Sequence, residues 1–591
     1  MEQEPTHHHG AAGRNWAEAE AAFERAIALN PSYSVGHQWY ANYLTARGRF
    51  DEAVAAMRHA QEVDPLSLVA SAALGWVHYY RRDYDAAVEQ CRRTLELNPR
   101  FELAHLWADS PELDRLASEW EPSRRHVWSA ALVVGVLLFW YVVTRFESGQ
   151  INAVDFTIYY DRPCFQTVHG RPLFVEVSDS PGYSHRSELA DHAYWGMLGV
   201  CSLYALHATP LWLHLLSAIA IVVGAASVLR IVQRLGGGGV LACAAALSFV
   251  LNDNTARTLN YGFHPEVLYA CLIPWVIDAG LRSARRPFLV LVLSCVLVKE
   301  DAFLPLLAVS VALALHRFRQ MSPQDRVVFL VLPTTIALAN LVLYYGQVVP
   351  FLTAGRNPSY ANFWGNYGDT PMRAFVGMCK HPRRVLHGTL TSGIFRTLQP
   401  HLFLPLVGWR WSLGIVPVVA LYGASANDQV RAFGIYYAMV LVPFMVGAAA
   451  TGALAVSRHV VKRDGYARLT ASAILLLGAL LVGIGNRGYS LRPWKAEIAA
   501  VPEALADLGG ERIVLVQSGL FPHAGYSERL QLLTPETLED PRNAGAAVLP
   551  APRVGAYPFR ATDLARLTQL PSIRPMPPGL VVVRPSLLPV R

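Results

Sequence analysis

The chain has 591 residues, which at roughly 150 residues per domain leaves room for about four domains. Hydrophobic residues make up 53% and charged residues 16%, against roughly 25% charged in soluble globular chains, so an intrinsically disordered chain is excluded and membrane segments are implied. Residues 1–122 carry 11 Lys+Arg against 19 Asp+Glu, a net −8, and residues 123–591 carry 40 against 25, a net +15. Basic residues gathered in short loops between apolar runs report membrane topology, so nucleic acid is excluded as a partner.

Residues 1–13 are polar and contain His7, His8 and His9. They read as a disordered tail, with metal binding by the histidines as the alternative. A basic-then-apolar signal segment is missing, and the first strongly apolar run starts near Val127, so export of the head is not expected.

From residue 14 to 122 the chain is expected to form a helical head. Pro31, Pro65 and Pro99 recur at a spacing of 34 residues, together with Trp16/Phe50/Tyr84, Ala19/Ala53/Ala87 and Phe23/Met57/Cys91. This pattern resembles the tetratricopeptide repeat, in which small and aromatic residues let antiparallel helices pack closely and the proline ends each unit. The likeness covers residues 14–107 and breaks off at Ser110-Pro111. Two whole units fall short of the roughly three needed for independent stability, so docking of the head is expected. A peptide-binding groove for a protein partner and a spacer packed on the membrane domain are both open.

Apolar runs follow at 127–144, 211–229, 238–252, 264–281, 287–298, 302–316, 326–350, 395–409, 411–424, 434–456 and 467–486. They predict an all-α polytopic domain of about 11 transmembrane helices over residues 123–488, with 287–298 and 302–316 as a short hairpin. The run 193–208, ending at Thr209-Pro210, reads as interfacial. Arg124 and Arg125 precede the first span, which places the head in the cytoplasm and residues 145–210 outside. Arg230/Arg234, Arg282/Arg285/Arg286, Arg317/Arg319/Arg326, Arg410 and Arg458/Lys462/Arg463/Arg468 then fall inside, and residues 489–591 outside. In that tail, 512–517 and 579–583 read as buried strands and 499–508 as a helix, giving a small extracytoplasmic α/β domain. The seven cysteines lie far apart and read as packing residues.

Five polar groups gather at the outer face: Asn152 with Asp155, Asp191-His192, Asn252-Asp253-Asn254, His264-Pro265-Glu266 and Lys299-Glu300-Asp301. The last carries most information. A hairpin of about 12 and 15 residues, rising 1.5 Å per residue, keeps its tip near the hydrocarbon core. Each charge there costs at least about 2.5 kcal/mol and is tolerated where it pairs or lines a wet cavity. An internal ion pair that only shapes the hairpin is the structural alternative. His264-Pro265-Glu266 also fits a helix start, Asn252-Asp253-Asn254 a polar turn, Asp191-His192 an interfacial cap, and Asp155 a solvated loop acid.

The stretches Val154-Asp155-Phe156, His169-Gly170-Arg171-Pro172-Leu173, Asp191-His192, Tyr261-Gly262-Phe263-His264-Pro265-Glu266 and Val298-Lys299-Glu300-Asp301-Ala302 resemble a bacterial family of integral membrane proteins, domain of unknown function 2079. Arg431, Tyr436-Tyr437, Leu441-Val442-Pro443-Phe444, Val516-Gln517-Ser518 and Pro522-His523 extend the likeness to about 127–590. That family in turn is similar, at the level of fold, to the GT-C superfamily of polytopic glycosyltransferases. Where the family carries His-Phe-Ser-Pro this chain has His192-Ala-Tyr-Trp195.

The resemblance implies transfer of a sugar from a polyprenyl-phosphate donor to a hydroxyl acceptor at the outer face of the bacterial cytoplasmic membrane. It implies Asp155 as general base. Lys299 and Arg431 then contact phosphate, and His192, His264, Glu266, Glu300 and Asp301 line the cavity. The loop 351–394 adds Arg356, Arg373, Lys380, Arg383 and Arg384, which face lipid phosphate or solvent. Oxygen ligands suit Mg or Mn, although no spacing demands a metal. A non-catalytic assembly protein acting through the head and a lipid or solute carrier remain as other classes, the carrier disfavoured by the lack of a visible inverted repeat.

Overall fold

The computed structural model describes residues 16–104, 114, 116–151, 153–176, 186–353, 361–461, 463–486, 488–491, 495–543, 545–551 and 561–584. The expectations for the tail with His7–His9, for the break at Ser110-Pro111, and for Asn152, Arg356 and Lys462 lie outside the described residues. Two compact units divide the chain, one of Met1–Trp120 with Val461–Tyr466 and one of Glu121–Val460 with Ala467–Arg591.

The first unit is helical. Trp16–Leu29, Ser34–Ala46, Phe50–Val63, Leu68–Tyr80 and Tyr84–Leu97 each pack on the next. The 34-residue recurrence has a physical counterpart: Trp16, Phe50 and Tyr84 each open a helix, while Ala53, Met57, Ala87 and Cys91 are fully buried. A Cβ at Gly75 would lie 2.5 Å from Cys91 Sγ, so glycine sets the approach of the last two helices. Ser67 and Asp83 cap those helices by accepting the N–H groups of Ala70 and Ala86. Arg463 stacks 4.0 Å over the Tyr79 ring, and the Tyr466 N–H donates to Asp114 at 3.1 Å.

Among the described residues six helices are long and apolar enough to cross a membrane: Arg124–Glu147, Leu211–Arg234, Gly238–Tyr261, Glu300–Gln320, Pro323–Thr353 and Asp464–Gly483. The other apolar runs take different forms. Val267–Leu281 and Arg285–Val296 are shorter helices, and Val442–Val460 is buried along most of its length. Residues 394–423 break into short α and 3-10 pieces, because Pro400, Pro405 and Pro417 remove donors and Leu402 and Phe403 take left-handed φ of 51° and 57°. Leu211–Arg234 is the central element and packs on Arg124–Glu147, Gly238–Leu251 and Val267–Leu281. A Cβ at Gly224 would sit 2.1 Å from the Ala270 carbonyl oxygen, so that glycine permits the tightest of these contacts.

Two expectations are corrected. Asn252-Asp253-Asn254 is not an outer turn: Asn252 kinks one apolar helical stretch, its side chain accepting the Asn254 N–H at 2.9 Å, and all three residues are buried. The cysteines are not all packing residues, since Cys164 and Cys201 form a disulfide. It ties Arg162–Val168 to Trp195–Cys201, elements 37 residues apart that local spacing cannot pair.

The C-terminal residues form a parallel sheet with Val514–Val516 between Leu530–Leu532 and Ala547–Leu549. The strand expected at 579–583 contributes only an antiparallel bridge from Val583 to Val548. Ile158 and Val175 from the 145–210 segment share this core with Val501, Val514 and Leu530.

Beside that shared core, the Tyr204 and Tyr526 hydroxyls both donate to Asp161 at 2.6 Å, and Arg162 donates to the Gly525 carbonyl at 2.8 Å. Burial lifts the Asp161 carboxyl to about 6, against the pull of the two hydroxyls and Arg162. The folded value exceeds the unfolded one, roughly 3.9. The contribution is therefore full below about pH 4 and is lost as pH rises through about 6. Hydrogen exchange at Val514–Val516, corrected for its intrinsic rate, is expected to speed up across that window and to lose the dependence in Asp161→Asn. A variant that keeps the profile would assign it to another group.

Candidate functional site

Ala153–Phe156 continues through the π-turn Thr157–Asp161 into Arg162–Val168, so Asp155 lies at the start of an uninterrupted helical segment. Its carboxylate accepts the Tyr261 hydroxyl. Tyr261 ends the helix Asp253–Tyr261, and Gly262 follows with φ 109°. A Cβ at Gly262 would meet Ile151 Cγ2 at 2.8 Å and Phe156 Cβ at 3.5 Å, so glycine lets this turn lie against the segment carrying Asp155. The same turn presents His264, whose ring stacks 4.0 Å from Tyr436 and lies 4.9 Å from Tyr261.

Glu266 is the N-cap of the helix Val267–Leu281, so Pro265 lies before the cap and not at the first helical position that the helix-start reading gave it. Glu266 also accepts Lys299 Nζ at 2.5 Å, both residues being buried. Lys299 is extended, with φ −163° and ψ 157°, at the tip between Arg285–Val296 and Phe303–Arg317. The other two N–H donors of its ammonium make no hydrogen bond among the described residues. Glu300 pairs with His192 Nδ1 at 2.9 Å and accepts the Ala193 N–H at 2.9 Å. Asp301 accepts the Tyr269 hydroxyl at 3.3 Å.

The tip therefore joins three elements, and further bonds hold the arm 189–196 in place. The Gly196 N–H donates to the Leu297 carbonyl at 2.7 Å, Trp195 Nε1 to Asn340 at 3.2 Å, and the Tyr344 hydroxyl to the Leu189 carbonyl at 3.1 Å. Tyr344 opens a π-turn in Pro323–Thr353, a feature that often marks functional sites. Asp191 is buried and pairs with Arg186.

One ammonium, Lys299, faces three carboxylates, Glu266, Glu300 and Asp301, so the cluster carries excess negative charge before His192 is counted. Glu266 Oε2 and His264 Nδ1 are buried without a hydrogen-bond partner. Next to the cluster, an apolar cavity of about 260 Å³ is lined by Met197, Leu216, Leu268 and Leu297, and by Pro265 and Val298, the neighbours of Glu266 and Lys299.

The structure thus brings His192, His264, Glu266, Lys299, Glu300 and Asp301 together, with Asp155 reached through Tyr261. Arg431 stands apart: it ends the short helix Asp428–Arg431 and pairs with exposed Asp428. Arg373 pairs with exposed Asp369. Tyr194, whose ring centroid lies 6.0 Å from Lys299 Nζ, and Tyr269 also belong to the site, and neither they nor Arg186 were among the residues the sequence singled out. Among the described residues no three His, Cys, Asp or Glu side chains gather to hold a metal ion, so no step is routed through Mg or Mn.

Long apolar helices around a buried charged cluster define a polytopic membrane protein. The family model described as "Predicted membrane protein (DUF2079)" matches residues 145–502, and the chain belongs to that family. No curated protein matches it. Among solved structures it is similar to ArnT from Cupriavidus metallidurans bound to undecaprenyl phosphate, at 12% identity over 78% of this chain and 98% of that one, with a TM-score of 0.44. The apo state of that protein gives 12%, 78%, 98% and 0.45. The arabinofuranosyltransferase AftD from Mycobacteria gives 18% identity over 79% of this chain and 42% of that one, with a TM-score of 0.41.

Proposed function

We propose that the protein is a GT-C-type membrane glycosyltransferase that moves a sugar from a polyprenyl phosphate to a hydroxyl acceptor at the outer face of the bacterial cytoplasmic membrane. The carrying observation is the Glu266–Lys299–Glu300–Asp301 cluster, of which Glu266, Lys299 and Glu300 are buried, with Asp155 one tyrosine away. The acceptor oxygen bonds to the anomeric carbon, and the bond from that carbon to the phosphate oxygen breaks with its electron pair leaving on polyprenyl phosphate. Asp155 takes the hydroxyl proton, a role worth typically 10²–10⁴-fold in rate. Lys299 meets the phosphate charge. His192, His264, Glu266, Glu300 and Asp301 orient sugar and acceptor hydroxyls, and the adjoining apolar cavity suits the start of an isoprenoid chain.

The Cys164–Cys201 disulfide supports an oxidising compartment for residues 145–210, and with them the C-terminal domain, leaving the head in the cytoplasm. There the head acts as a short tetratricopeptide array for a protein partner.

The test is mass spectrometry of lipids that copurify with the full chain, followed by addition of hydroxyl acceptors. A retained polyprenyl-phosphate sugar that is consumed on addition is the expected result. A protein that retains no such lipid, or retains one that no acceptor discharges, overturns the reading.

A further inference from the structure

A second charged cluster lies at the other end of the same helices. Asp278 sits in the last turn of Val267–Leu281, its side chain fully buried. Three arginines meet its carboxylate through their Nε atoms: Arg234 at 2.6 Å, Arg282 at 2.9 Å and Arg230 at 3.4 Å. Arg230 and Arg234 end Leu211–Arg234, so the cluster is shared by two helices packed side by side. From Glu266 it is separated by the length of Val267–Leu281, about 20 Å at 1.5 Å per residue.

Ordinary helix capping does not account for it. The terminal carbonyls of Gly280 and Leu281 already accept Arg317 at 2.9 and 2.6 Å. A carboxylate in the last turn opposes the helix dipole, and burial in an apolar segment adds to its cost. One arginine would neutralise it, yet three are present, leaving a local charge of +2. Their side chains stay 35%, 37% and 32% exposed for Arg230, Arg234 and Arg282. Arg230 is further held 5.4 Å over the Trp275 ring. The terminal nitrogens of all three guanidinium groups make no hydrogen bond among the described residues. Asp278 therefore fixes three forks in advance and leaves their outer donors open, which lowers the ordering loss when an anion binds.

We infer that Arg230, Arg234 and Arg282, organised by Asp278, form a binding site for a phosphate group at the membrane boundary opposite the Glu266–Lys299 cluster. Guanidinium forks match phosphate oxygens bidentately. Basic pockets between membrane helices take anionic headgroups in the same way. The site is independent of the glycosyltransferase reading, since it shares no residue with it.

The experiment is native mass spectrometry of the full-length protein released from phosphatidylcholine nanodiscs containing phosphatidylglycerol, with and without millimolar inorganic phosphate. Arg230→Gln and Arg234→Gln each leave Asp278 two guanidinium partners, and each is expected to lower retained phosphatidylglycerol about fivefold. Arg286→Gln, in the first turn of the neighbouring helix Arg285–Val296, is expected to leave it unchanged. Should a glutamine variant fail to fold, Arg234→Lys keeps the ion pair but lacks the fork, and is expected to weaken retention by a smaller factor. Loss in the arginine variants without competition by inorganic phosphate assigns the site to a lipid headgroup. Loss together with such competition assigns it to a soluble phosphate compound. Equal retention in wild type and both glutamine variants overturns the site and leaves a self-neutralising cluster.

Discussion

Asp155→Asn is expected to keep the donor lipid bound and to slow its consumption by 10²-fold or more, in line with the loss of a general base. The substitution preserves shape and still accepts the Tyr261 hydroxyl, so the turn at Gly262 and the segment beginning at Ala153 stay in register. What disappears is the basic oxygen proposed to remove the acceptor proton. Single-turnover mass spectrometry of the copurified lipid reads this directly, because retention and consumption are separate signals. Tyr261→Phe provides a graded comparison: it keeps the carboxylate and removes one donor to it, so transfer falls less than in Asp155→Asn. Unchanged consumption by Asp155→Asn would remove Asp155 from the chemistry, whatever lipid the protein carries.

Much of this site was legible before the structure, and the reason is energetic. Lys299-Glu300-Asp301 stood out because charges between two apolar runs need partners, and the structure supplies Glu266, His192 and Tyr269, although the second arm of the expected short hairpin extends to Glu300–Gln320 and is long enough to cross. The partners themselves were visible only as motif fragments, since pairing across more than a hundred residues, as for His192 with Glu300, leaves no local spacing signal. Asn252-Asp253-Asn254 read as a turn by composition, whereas burial and the Asn252 cap fold it into a kinked helix. Tyr194 and Tyr269 were hidden because an aromatic ring in apolar sequence looks the same whether its hydroxyl is idle or in use. Residues 394–423 are apolar enough for spans, but three prolines and two left-handed residues divert them into short turns. The helical periodicity of the head survived into structure because close packing at Ala53, Ala87 and Gly75 admits few residue types.

Lys299→Met is expected to be the most damaging single change, and the double variant Lys299→Met/Glu266→Gln shows why. Removing one partner of a buried ion pair leaves the other charge uncompensated, typically at 3–5 kcal/mol. Here the effect is enlarged by Glu300 and Asp301 on the same tip, which lose their one ammonium neighbour. Neutralising Glu266 as well removes the carboxylate paired directly with Lys299, so the double variant regains part of the thermal stability in detergent. It is not expected to regain donor retention, because the Lys299 ammonium proposed to meet the phosphate is still missing. Stability and retention therefore separate: a structural ion pair predicts that both recover together, and a phosphate contact predicts that only the first does. Recovery of both in the double variant would reduce the Lys299–Glu266 pair to a device that shapes the hairpin.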